Sequence, residues 1–121
     1  MNDYKERLKE LMDELVHLIY HLTKDFPKGE LYGSTSQIRR AALSIILNYV
    51  EGFARIKPAV QLNFFEISFG SLKETQYLLK FSLEEKYILD GDFKKCADLS
   101  EEIGAMLWTE ISALSKKVHG E

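Results

Sequence analysis

The chain has 121 residues, 45% of them hydrophobic, with 16 basic and 19 acidic side chains and a formal charge of −3. That length fits a single domain over residues 1–121, and the apolar share excludes a disordered chain. The acidic balance argues against a chain-wide grip on nucleic acid, which would require many neutralised phosphates.

The N-terminal stretch MNDYKERLKELMDEL is charged and lacks an apolar signal core. No run approaches the roughly 18 apolar residues of a membrane span, so a soluble, cytoplasmic protein without membrane contact is expected. The first helix is predicted from about Asp3 to about Asp25. Leu8, Leu11, Leu15, Leu18 and Leu22 recur at threes and fours along one face. Glu14 and His17 form an E-x-x-H pair, but a di-metal bundle needs two such pairs and two further Glu residues. His21 and His119 complete no second pair. Asp13, His17, His21 and Asp25 read as a solvated edge, and no metal or other cofactor is expected.

Pro27 disfavours helix at Phe26, and KGELYG is predicted as a loop. Ser34 and Gln37 have capping-box spacing at the start of the second helix, and Gly52 lies near its end. Pro58 suits the first turn of a third helix, which is predicted to run to about Lys86. YILDGD reads as a turn centred on Asp-Gly. The fourth helix is predicted from about Phe93 to about Val118. Four helices with short connections imply an all-α fold, an antiparallel up-down four-helix bundle.

The second and third helices carry more apolar residues than one buried stripe requires. Ile38, Ala41, Leu43, Ile45, Leu47, Tyr49, Val50 and Phe53 surround most of the second. The surplus predicts a homo-oligomer, because each buried Leu, Ile or Phe contributes roughly 1.5–3 kcal/mol. Arg40, Ser44, Asn48, Glu51 and Arg55 run through the same helix at spacings that share a face. Glu66, Gly70, Ser71 and Glu74 have matching spacing on the third helix. The polar line is therefore expected to form a seam of Arg40, Ser44, Asn48, Glu51, Glu66, Ser71 and Glu74 between helices or subunits.

No phosphate loop, CxxC pair or serine triad is present, so neither an enzyme nor a small-molecule substrate is expected. The lone Cys96 reads as a small buried hydrophobe in a reducing compartment. Arg39, Arg55 and Lys57, near Tyr49 and Phe53, form the best basic set for RNA contact through phosphates and stacking.

The stretches ELYGSTSQIRRAA, NYVEGFAR and FGSLKE resemble the bacterial four-helix-bundle proteins of the 23S ribosomal-RNA intervening-sequence family. The resemblance covers about residues 26 to 90. It implies a bundle that assembles into a ring-shaped homopentamer with no established enzymatic activity. It also implies a loose relation to the pentameric accessory proteins of diversity-generating retroelements, hence an RNA or ribonucleoprotein partner. The chain departs from the family pattern at Ile46, where the pattern has proline, and at Leu47, Val50, Lys57, Gln61 and Phe69. The last replaces an arginine, which counts against RNA binding, and Ile46 predicts a straighter second helix.

Overall fold

The computed structural model describes residues 3–120. Among them are four α-helices and no strand: α1 (Asp3–Leu22), α2 (Ser34–Phe53), α3 (Pro58–Glu84) and α4 (Asp90–His119). Two single-turn 3-10 segments, Thr23–Asp25 and Lys28–Glu30, fill the link between α1 and α2. The helices form a bundle in which α1 and α3 each contact both α2 and α4, and α2 against α3 is the most extensive contact.

Local chemistry sets the helix ends, in two cases differently from the sequence expectation. Ser34 and Gln37 do not form a capping box: Gly33 holds the N-cap position and makes no side-chain cap bond. The Glu30 carboxylate takes that role, accepting from the Ser34 amide at 3.1 Å and hydroxyl at 2.7 Å. An anion is favoured there by the helix dipole, and the two hydrogen bonds hold the Glu30 pKa below its ordinary value. The Asp-Gly pair is not the centre of a turn either. Asp90 and Asp92 open α4, acidic residues again in a first helical turn. The reversal lies just upstream, where Lys86 takes a left-handed φ of 65° and the Tyr87 amide reaches back to the Ser82 carbonyl at 2.8 Å. That bond satisfies a carbonyl at the end of α3.

The core takes Leu8, Leu11, Leu15 and Ile19 from α1, Ile38, Ala42, Ile45 and Tyr49 from α2, Phe65 and Leu72 from α3, and Cys96, Ile103 and Leu107 from α4. The inner side of α3 also carries Ser68, Thr75 and Ser82, all buried. Thr75 and Ser82 donate to carbonyls one turn back, each at 2.8 Å, while Ser68 donates across to the Ile45 carbonyl at 2.6 Å. Small hydroxyl residues with satisfied hydrogen bonds let α2 approach α3 closely. Gly52 completes that approach, since a Cβ there would lie 2.6 Å from the Phe65 ring.

Gly52→Ala should therefore lower stability by about 1–3 kcal/mol through overpacking, outweighing alanine's helix preference. Gly91→Ala, in the open first turn of α4, should be neutral or stabilise by up to about 1 kcal/mol. Urea denaturation of the two variants checks the contrast.

Candidate interaction surface

The buried face of α2 is defined by Ile38, Ala41, Ala42, Ile45 and Tyr49. Helical geometry then places Arg40, Leu43, Leu47, Val50 and Ala54 on the opposite, outward face. All five are exposed. Leu47 is 56% exposed and Val50 47%. On α3, Val60 and Ile67 are also exposed and Phe64 is half-buried. One protomer thus leaves an apolar surface along α2 and the neighbouring edge of α3, the surplus expected from the sequence.

Within one protomer the predicted polar seam is assembled only at its centre. The Ser44 and Ser71 hydroxyls share a hydrogen bond of 2.8 Å between α2 and α3. The Asn48 amide donates to the Ser44 hydroxyl and carbonyl, both at 2.9 Å. Glu51 pairs with Arg55 one turn on rather than across the seam. Arg40, Glu66 and Glu74 lie exposed on the outer surface and make no contact with the Ser44–Ser71 pair.

The basic set is not gathered in one place. Arg39 turns towards α1, donating to the Thr23 hydroxyl at 2.8 Å and the Tyr20 carbonyl at 3.3 Å, and it covers the Tyr20 ring. It fastens α2 to the end of α1. Arg55 lies 16 residues further along, over the Phe64 ring, and Lys57 is exposed at the N-cap of α3. Between them Ile56 is almost fully exposed.

A second apolar surface lies between α3 and α4. Phe69 and Trp108 meet with ring centroids 5.3 Å apart, and Trp108 remains 56% exposed. They line a groove of about 310 Å³ with Glu66, Ser112, Ser115 and Lys116. Its floor is Ile111.

Sequence patterning did not reveal the polar cluster of Tyr49, Glu110 and Lys5, because its members come from three helices. The Tyr49 side chain is fully buried beside Phe53 and Phe65, and its hydroxyl donates to Glu110. The other Glu110 oxygen meets Lys5 at 3.0 Å, and Lys5 also sits over the Phe53 ring. The cluster ties α1, α2 and α4 together. A tyrosine on an otherwise apolar helix face was the available signal, since a buried phenol requires a partner. Burial, and next the Glu110 hydrogen bond, push the Tyr49 pKa far above its ordinary value.

Cys96 is fully buried, with its thiol pushed up to about 11 by burial. Asp13 and His17 approach to 3.4 Å on the exposed side of α1. Among the described residues no group of three potential ligands could hold a metal ion, and no helix is long and apolar enough to cross a membrane.

Tyr49→Phe should cost about 1–2 kcal/mol at pH 8 by removing the bond to Glu110. A phenol whose pKa is raised by folding contributes stability that is complete below about pH 10 and lost as pH rises beyond it. The gap between the two proteins should therefore narrow above pH 10, as read from urea midpoints at pH 8 and pH 11.

The model of the family described as "23S rRNA-intervening sequence protein" matches residues 6–109. The fold is also similar to that of a crystal structure from Bacteroides thetaiotaomicron VPI-5482, a protein of unknown function from the S23 ribosomal protein family. The TM-score is 0.83 at 24% identity, over 90% of this chain and 98% of the other. No curated protein matches the chain.

Proposed function

Because the chain belongs to the 23S rRNA-intervening sequence protein family, we propose that it is a non-enzymatic scaffold protein, an antiparallel bundle that assembles with copies of itself into a ring-shaped homopentamer in the cytoplasm. The observation that carries this reading is the outward stripe of Leu43, Leu47 and Val50, continued by Val60 and Ile67, exposed on a single protomer. Contiguous apolar surface of that kind marks an interaction site on a soluble protein. Covering five such side chains stabilises an assembly by several kcal/mol at roughly 25 cal/mol per Å².

Sedimentation at several concentrations tests the assembly. A single species of five protomer masses is expected at micromolar protein, and a strict monomer throughout would overturn the reading.

A second reading is RNA contact, favoured by exposed Arg55 over the half-buried Phe64 ring, with exposed Lys57 two residues further on. It assigns Arg39 to holding α1 rather than to phosphate. Charge reversal of Arg55 and Lys57 should then abolish salt-sensitive RNA retention on a filter without changing the oligomer. Retention unaffected by the reversal would remove this reading.

A further inference from the structure

We infer that copies of this chain meet α2 to α4: the outward stripe Arg40, Leu43, Leu47, Val50 of one copy seats on the stripe Glu101, Ala105, Trp108, Ser112 of the next. The inference rests on the assembly reading above and names the contact that would build it.

Both stripes belong to helices packed on the two sides of α3, and α3 sets their relative heights. Ser44 bonds Ser71, and the Ile45 carbonyl accepts from Ser68. On the other side Gln76 donates to Ser100 at 3.1 Å, Leu72 lies against Gly104, and Phe69 meets Trp108. On both sides the α3 number falls as its partner's number rises, so α2 and α4 point the same way. These contacts put Arg40 near the height of Glu101, Leu43 near Ala105, Leu47 near Trp108 and Val50 near Ser112. Copies related by rotation about an axis along the bundle keep those heights, and α2 of one copy then runs parallel to α4 of the next.

The matched residues are complementary. Leu43 and Val50 would face small residues, Ala105 and Ser112. Leu47 would face the Trp108 ring at the mouth of its groove. Each stripe advances by alternating threes and fours, the spacing that keeps a seam on one side of two parallel helices. Among the described residues Arg40 makes no hydrogen bond or ion pair of its own. Exposed Glu101 has only a 3.5 Å approach from the Gln76 amide. The pair would supply one charge of each sign at the end of the seam.

Symmetry makes the same selection. A twofold contact of α2 on α2 would cover one apolar surface and leave Trp108 wet. A contact between unlike faces covers both the α2 stripe and Trp108 on every protomer, and such contacts close into rings when the rotation permits.

The test is oxidation of the full chain carrying Leu43→Cys and Ala105→Cys together, with each single variant alongside and sedimentation of all three. α2 and α4 of one protomer lie on opposite sides of α3, beyond the Cα separation of about 7 Å that a disulfide tolerates. The double variant should therefore give a ladder of covalent dimers, trimers and higher species on a denaturing gel, and each single variant should stay at protomer mass. Arg40→Glu should raise the dissociation concentration several-fold, with Glu101→Arg in the same chain restoring it. An intact oligomer without the ladder, or one in which Leu43→Cys alone dimerises, overturns this pairing and leaves the assembly standing. A monomer at every concentration overturns both.

Discussion

The close approach of α2 to α3 is the constraint on which the rest of the molecule depends. Gly52 makes room for the Phe65 ring, and Ser68 reaches the Ile45 carbonyl with a bond of 2.6 Å between the two helices. Ser44 and Ser71 then share a hydrogen bond on the outer edge of the same contact. Each device uses a small residue where a bulky one would hold the helices apart. With its inner surface committed in this way, α2 must turn Leu43, Leu47 and Val50 outward, and α3 must do the same with Val60 and Ile67. The apolar exterior is thus a consequence of how the interior is packed.

α3 has a second consequence because it is shared. The same helix carries the Ser44 contact on one side and the Phe69–Trp108 contact on the other. Two apolar surfaces are therefore held at fixed heights on one rigid element, as the proposed assembly requires. The Tyr49–Glu110–Lys5 cluster supports this frame from the opposite side by linking α1 and α4 to α2. Tyr49 is buried, Glu110 and Lys5 partly so, and the three pair with one another across the helices, so the cluster positions helices.

Much of this was legible in the sequence. The leucine repeat of α1, Pro58 at the start of α3 and the apolar surplus of α2 each follow from helical periodicity and proline chemistry. The Ser44, Asn48 and Ser71 part of the polar line follows from shared-face spacing, because those residues lie where α2 and α3 touch. Arg40, Glu66 and Glu74 have the same spacing but sit further round the cylinder, and periodicity alone does not separate an edge from an outer face. The capping of α2 by Glu30 was hidden because the loop folds back on itself, which local spacing does not encode. The start of α4 was misread because Asp-Gly suits both a turn and an acidic first helical turn. Arg39 looked like a free cation, and only the path of the chain at the end of α1 brings Thr23 and Tyr20 to it.

The central claim is that the outer faces of α2 and α4 are covered by further copies of the chain. Trp108 is the only tryptophan and is 56% exposed in a single protomer, so its fluorescence reports on that cover directly. Emission at assembling concentrations should be blue-shifted and protected from iodide, and dilution to the protomer should shift it red and expose it. Emission that is red and fully quenchable at every concentration would contradict the account.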